Sequence, residues 1–290
     1  MTMAANEAAP LAFITGASSG IGQALAARYA QLGWRLALVA RRAQAMQAWA
    51  AACGLGPERC VAYAADVADE AAAVAAGQAC IERQGLPDVV VANAGISVGM
   101  DTRERADLGV MRETLMLNVL GVAATFHPFV EPMRVRGSGR LVGVASMASV
   151  RGLPGHGAYC ASKAALVAYC ESLRVEYRGS GVRVVTLVPG YVATPLTARN
   201  PYAMPFLISA ESFAERAVAA IAAGTSRRVI PWQMALVAPL MRNAPDALYD
   251  RLFKGRQRKP RRGGGGTGAA AANGASAPAG ARDDPAAGEP

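Results

Sequence analysis

Short, uninterrupted apolar runs alternate with longer segments of helical period through most of this 290-residue chain. That alternation restricts the fold more than any other feature. The runs fall at Leu11 to Thr15, Arg35 to Ala40, Cys60 to Ala64, Asp88 to Ala92, Arg140 to Ala145, Arg183 to Val188 and Arg228 to Ile230. Helical patterns occupy 21–32, 43–53, 69–84, 107–135, 157–178 and 210–223. Strand, helix and strand repeated in this way predict an α/β fold built on a parallel sheet. Runs such as Asp88-Val-Val-Val-Ala are apolar on consecutive residues, which is what burial on both faces demands. Right-handed crossovers then place helices on both faces of a doubly wound sheet of about seven strands.

No fixed-period repeat or internal linker interrupts the pattern before Pro260, so 11–255 reads as one domain after a flexible 1–10. Residues 256–290 begin basic and continue as Gly, Ala and Pro with almost no large apolar side chain. Such a segment cannot offset its ordering entropy, and a disordered tail is expected. Of the formal net charge of +9, six units come from Lys254, Arg256, Arg258, Lys259, Arg261 and Arg262. The folded part is only mildly basic, and a solvated tail explains the rest better than nucleic-acid binding does. The N-terminus carries Glu7 and no basic stretch leading into an apolar one, so no secretory signal is read there. The five cysteines have no C-x-x-C spacing, which suits reduced thiols in a cytoplasm. Two distant histidines without clustered acids suggest no metal.

Directly after the first strand comes Thr15-Gly16-Ala17-Ser18-Ser19-Gly20-Ile21-Gly22, a glycine loop opening a helix. Glycine lets the backbone turn tightly and lets a pyrophosphate approach the helix N-terminus, where free N–H groups and the dipole favour negative charge. An ordinary strand–helix turn also uses glycines, but position in the α/β pattern favours dinucleotide binding. The spacing is Gly-x-x-x-Gly-x-Gly, and with it the chain resembles the short-chain dehydrogenase/reductase family from about Leu11 to Ile230. The resemblance implies a Rossmann-type fold and assigns cofactor contacts to Gly16, Ser18, Ser19, Gly20, Ile21 and Gly22. It extends them to Asp66 and Val67 after the third strand, to Asn93-Ala94-Gly95 after the fourth, and to Pro189-Gly190, Val192 and Thr194 after the sixth. Where an NAD enzyme would carry an acid for the ribose 2′-hydroxyl, this chain reads Ala40-Arg41-Arg42. Two guanidiniums attract a 2′-phosphate that an acid would repel, so NADP(H) is expected ahead of NAD(H). A solvated arginine pair at a helix start is the bland alternative.

Tyr159 and Lys163 stand at i and i+4, on one face of a helix. A free phenol has a pKa of about 10 and is a poor acid–base group at neutral pH, but a nearby ammonium favours the phenolate. The chain has three lysines, two of them Lys254 and Lys259 in the basic run, so retaining Lys163 beside Tyr159 points to a need for a compact ammonium. Ser146 lies thirteen residues before Tyr159, the family's spacing for the serine that orients the substrate carbonyl, and Ser149 nearby is read as a loop residue. Asn118, an amide in an apolar helical stretch, matches the family asparagine whose backbone holds a water in a proton relay. His156 invites a catalytic role, though a loop position explains it as well, and His127 reads as structural.

The segment 191–210 corresponds to the family's substrate lid, and its Met204, Phe206, Leu207 and Ile208 favour a lipophilic carbonyl compound or alcohol. Core packing accounts for these side chains equally well. The apolar 231–253 segment beside the basic run suits weak peripheral membrane contact, an oligomer contact or a lid. The expected activity is NADP(H)-dependent interconversion of a carbonyl and an alcohol. Asn118, Ser146, Tyr159 and Lys163 are the catalytic set, with Tyr159 and Lys163 also among the cofactor contacts the resemblance implies, the partner is a small apolar substrate, and the family implies a homo-dimer or homo-tetramer. The rivals are an NAD-dependent dehydrogenase and a non-catalytic dinucleotide sensor.

Overall fold

The structure, a computed structural model, describes residues 9–198 and 200–262. Its strands are β1 (Leu11–Thr15), β2 (Arg35–Ala40), β3 (Cys60–Ala64), β4 (Val89–Ala92), β5 (Gly139–Val144), β6 (Val182–Pro189), β7 (Val192–Ala193), β8 (Ile208–Ser209) and β9 (Arg227–Ile230). Seven form one sheet in the order β3-β2-β1-β4-β5-β6-β9, every pair parallel, while β7 and β8 make a small separate ladder. The helices are α1 (Gly20–Gln31), α2 (Ala43–Ala52), α3 (Glu70–Gln84), α4 (Asp107–Leu115), α5 (Gly121–Arg136), α6 (Gly157–Glu176), α7 (Ala210–Ala222), α8 (Gln233–Asn243) and α9 (Asp246–Phe253).

Successive strand residues point to opposite faces and enter two separate cores. Ala12, Ile14, Leu36 and Leu38 pack with Leu25 and Tyr29 of α1, Met46 of α2 and Phe213 of α7. Leu11, Phe13, Ala37 and Val39 pack on the other side with Ala76 of α3, Phe129 of α5 and Leu166 of α6. This division is why the strands read as continuous apolar runs. It produces the doubly wound Rossmann-type sheet that the sequence predicts, with all strand carboxyl ends along one edge. The order changes direction at β1, whose neighbours are β2 and β4, and ligands bind at such a switch point.

One helix departs from expectation. The pattern over 107–135 predicts a single helix, whereas α4 and α5 are separated by a π turn at Met116–Leu120 centred on Asn118. Such single-turn insertions shift the backbone ladder and concentrate at functional sites. Farther on, α8 contains Pro239 and α9 follows Pro245, giving two short helices in the apolar C-terminal segment.

Candidate active site

The glycine loop leaves β1 with Gly16 N–H donating to the Val39 carbonyl at 2.9 Å, which ties it to the end of β2. A Cβ on Gly22 would lie 2.3 Å from the Gly16 carbonyl oxygen, so only glycine permits the first turn of α1 to pack against the loop. Ser19 caps α1 without spending its side chain, and the first turn holds no acid. By contrast α3 and α7 have their caps filled by Asp69 and Ser209 and carry Glu70 and Glu211 in the first turn. The N-terminus of α1 therefore keeps free donors and an uncompensated dipole for an anion.

This loop walls a cleft of about 430 Å³ at the switch point. Of the predicted cofactor residues, Gly16, Ser18, Ser19, Gly20, Ile21, Arg41, Arg42, Asp66, Val67, Asn93, Ala94, Gly95 and Thr194 line it. Gly22 lies behind the loop, and Pro189, Gly190, Val192, Tyr159 and Lys163 are not on the cleft wall. Arg41 and Arg42 are exposed at its rim, and among the described residues neither forms an ion pair. Thr15, which sequence reasoning missed as a site residue, joins the two loops. Its hydroxyl accepts from Asn93 N–H at 3.1 Å and Ala94 N–H at 3.2 Å, while Asn93 Nδ2 donates to the Thr15 carbonyl at 3.0 Å. Its signal was present as the polar residue ending an apolar strand.

The predicted catalytic groups gather beyond this cleft, just after β5, on α6 and in the π turn. Ser146 Oγ accepts from Ala148 N–H at 3.1 Å, which fixes its lone pair and leaves its proton free to donate. Ser149 spends its hydroxyl on the Ser146 carbonyl at 2.6 Å, as befits a loop residue. Burial raises the pKa of the Tyr159 phenol, and a hydrogen bond with Ser146 opposes that rise. Lys163 is 4% exposed and donates to the Val144 carbonyl at 2.8 Å, with its Nζ 5.9 Å from the centroid of the Tyr159 ring. Burial pulls its pKa down to about 8. The Asn118 carboxamide is fully engaged: Oδ1 accepts from Ile96 N–H at 2.9 Å, and Nδ2 donates to the Ile96 carbonyl and to Ser162 Oγ, both at 2.9 Å. Ser162 in turn donates to the Tyr159 carbonyl at 2.8 Å, so the buried amide clamps the loop after β4 to α6.

A model of the short chain dehydrogenase family matches residues 10–204. The chain belongs to the short-chain dehydrogenase/reductase family. An uncharacterised oxidoreductase of Myxococcus xanthus is 39% identical over 242 residues, which cover 82% of this chain and 94% of that protein. An alcohol dehydrogenase of Thermococcus sibiricus, solved with 5-hydroxy-NADP, is 28% identical with a TM-score of 0.68, covering 77% of this chain and 96% of that one. A 3-ketoacyl-(acyl-carrier-protein) reductase of Brucella melitensis, solved with NADH, is 27% identical with the same TM-score of 0.68, covering 76% and 96%. This short-chain dehydrogenase/reductase is accordingly an oxidoreductase acting on alcohol or carbonyl groups, and its family neighbours bind either nicotinamide dinucleotide.

Two features of this dehydrogenase/reductase go beyond the sequence reading. His156 is buried, with Nδ1 3.0 Å from the Pro154 carbonyl and Nε2 3.2 Å from the Tyr202 hydroxyl. It ties the loop before α6 to the lid region, while His127 is exposed on α5. The basic run is the second. Its expectation as a solvated tail fails for Arg258 to Arg262, which lie against the loop after β4 and against α4 through ion pairs with Asp101, Glu104, Asp107 and Glu113. Residues 1–8 and 263–290 lie outside the described residues, so most of the proposed flexible N-terminus and of the tail does too. Among the described residues no group of His, Cys, Asp and Glu could hold a metal, and no helix is long and apolar enough to cross a membrane.

Proposed function

We propose that this enzyme interconverts a carbonyl and an alcohol with NADP(H), on a lipophilic substrate. The observation that carries the cofactor choice is the Arg41–Arg42 pair, which stands at the cleft rim with no acid ending β2 and no carboxylate on either guanidinium among the described residues. A 2′-phosphate satisfies both charges; a bare 2′-hydroxyl leaves them idle. The fit of the cleft to the rest of the dinucleotide rests on the Gly22 contact and on the unspent α1 N-terminus. The bound dinucleotide supplies the hydride in reduction and accepts it in oxidation.

The chain's own residues manage the oxygen and its proton. In reduction, the Ser146 hydroxyl donates a hydrogen bond to the carbonyl oxygen, which gathers negative charge as the carbon is reduced. The Tyr159 phenol gives that oxygen its proton, and in oxidation the phenolate takes it back. Lys163 would hold the ribose of the bound dinucleotide and supports the phenolate; Asn118 positions Ile96 and α6 and sustains the relay. The lid supports a lipophilic substrate through Phe206 and Leu207, 49% and 46% exposed. For assembly, a homo-oligomer built on α4, α5 and α6 is supported by the exposed Leu120 and Val175. Weak membrane contact through α8 is supported by exposed Trp232, Leu236 and Leu240 on one helical face.

The test is nucleotide consumption against a panel of aldehydes, ketones and long-chain 3-oxoacyl compounds, with NADPH and NADH compared. Tyr159→Phe is expected to lower kcat by about 10²–10⁴-fold with dinucleotide affinity retained. Equal turnover in that variant overturns the mechanism, and a preference for NADH overturns the cofactor assignment.

A further inference from the structure

The segment after α9 packs across the loops that leave the carboxyl ends of β4 and β5. Arg151 and Tyr249 anchor α9 to the loop before α6, the guanidinium lying 4.0 Å from the ring centroid and the Tyr249 hydroxyl donating to the Gly152 carbonyl at 2.8 Å. From there residues 254–262 cross the loop after β4. Gly99 N–H donates to the Pro260 carbonyl at 3.1 Å, and a Cβ on Gly99 would lie 2.1 Å from the Lys259 carbonyl oxygen. No other residue type allows this approach. On the opposite side, a Cβ on Gly155 would meet that of Arg258 at 2.9 Å.

The cations of this strap differ in how they are matched. Arg258 pairs with Asp101 at 3.2 Å, Arg261 with Asp107 at 2.6 Å, and Arg262 with Glu113 at 2.6 Å. Lys259 is half-buried and, among the described residues, pairs with no carboxylate; its Nζ donates to Ser97 Oγ at 2.9 Å. Ser97 lies two residues after Gly95, whose missing Cβ would stand 3.5 Å from Lys163 Nζ. The ammonium is thus held on Ser97, about two residues of backbone along the same loop from the Gly95 contact with Lys163. His156 does not neutralise it. An imidazole is neutral or cationic and never an anion, its Nδ1 faces the Pro154 carbonyl, which can only accept, and burial followed by the charge of Lys259 pulls its pKa down.

A partly desolvated ammonium without a counter-ion is costly unless a ligand supplies one. We propose that Lys259, with Ser97, binds a carboxylate group of the substrate at the mouth of the carbonyl site. Lys259 keeps two N–H groups and Ser97 its own O–H, donors enough for the two oxygens of a carboxylate. The inference rests on the carbonyl-reducing reading of the site above and narrows it: the substrate has an apolar body, a reacting carbonyl or alcohol, and an acidic end.

The experiment uses the full chain in saturating NADP⁺. Calorimetric binding of hexanoate and octanoate is compared with that of hexanamide and octanamide, and turnover of oxo-carboxylates with NADPH is compared with that of their methyl esters. Carboxylates are expected to bind about tenfold more tightly than amides, as a charge-assisted contact requires. Lys259→Gln removes that preference and raises KM for the acids alone; Lys259→Arg retains most of it. Arg258→Gln, which breaks a matched pair on the same strap, leaves it unchanged and so controls for loosening. No preference in the wild-type chain, or an undiminished one in Lys259→Gln, overturns the proposal. If neutral carbonyls turn over without charge preference, only the carboxylate site falls. If carboxylates bind through Lys259 but no carbonyl turns over, the carbonyl chemistry falls and the site stands.

Discussion

Two arginine clusters of similar charge behave oppositely in this molecule. Arg41 and Arg42 follow β2 at the rim of the cofactor cleft, exposed and without an acid among the described residues. Arg258, Arg261 and Arg262 lie along the C-terminal strap, each on a carboxylate from the loop after β4 or from α4. The first pair keeps its charge available for a ligand. The second spends it on holding chain to chain. Density of positive charge therefore says little about role; the carboxylates facing each guanidinium decide it.

The comparison breaks first at the cofactor. Replacing Arg41 and Arg42 together by alanine is expected to weaken NADPH binding by about 10²-fold, taking roughly tenfold for each exposed charged contact. NADH binding is expected to change little, and the thermal midpoint not at all. Equal losses for both nucleotides, measured by fluorescence titration, would mean that the arginines shape the cleft instead of reading the phosphate.

What the sequence made legible follows the same division between local and distant partners. The β/α alternation, the glycine loop and the Tyr159–Lys163 spacing are set by neighbours within one turn or one strand, so they can be read along the chain. The π turn at Asn118 could not be read from periodicity, because an apolar helical pattern continues straight through it. Nor could the docking of the strap: the partners of Arg261 and Arg262 lie about 150 residues earlier, at Asp107 and Glu113. Lysine scarcity drew attention to Lys163 but grouped Lys259 with solvated charges. Its partial burial and its contact with Ser97 set Lys259 apart.

The strap side of the comparison is tested by Arg261→Ala. The Asp107 side chain is only 3% exposed and accepts from Arg261 Nε at 2.6 Å, Arg261 Nη2 at 3.2 Å and Asp101 N–H at 2.7 Å. Without the guanidinium, one backbone donor is left to a carboxylate shut away from water. Trypsin cleavage after Lys254, Arg256 and Arg258 is expected to accelerate and the thermal midpoint to fall, with NADPH affinity unaltered. Unchanged proteolysis would show that the strap is held by its backbone contact to Gly99 instead.

Acid should separate the two clusters further. The Arg261 guanidinium holds the Asp107 carboxyl below its usual range, and Arg103 does the same for Asp101. A depressed folded-state pKa contributes stability that is complete above the unfolded value of about 3.9 and is lost as pH falls through the folded value. Strap docking, followed by proteolysis with an acid-active protease, is thus expected to persist down to about pH 4. A phosphate monoester loses its second charge near pH 6, so the preference for NADPH over NADH should narrow while the strap stays in place. Strap release at pH 6 would point to a histidine, with His156 the first suspect.

The smallest effect is expected at the end of the strap, and it tests whether burial or charge alone does the holding. Arg262 and Glu113 are 57% and 51% exposed, so the pair is screened by water and salt and gains little from its 2.6 Å contact. Arg262→Ala should leave proteolysis, thermal midpoint and turnover within experimental error of the wild-type chain, at low and at high salt. A loss comparable to that of Arg261→Ala would mean that the strap is drawn in by the summed field of α4 and its preceding loop. The buried Asp107 carboxylate would then be one contributor among several, and Lys259 would reach Ser97 by general attraction instead of by being placed there.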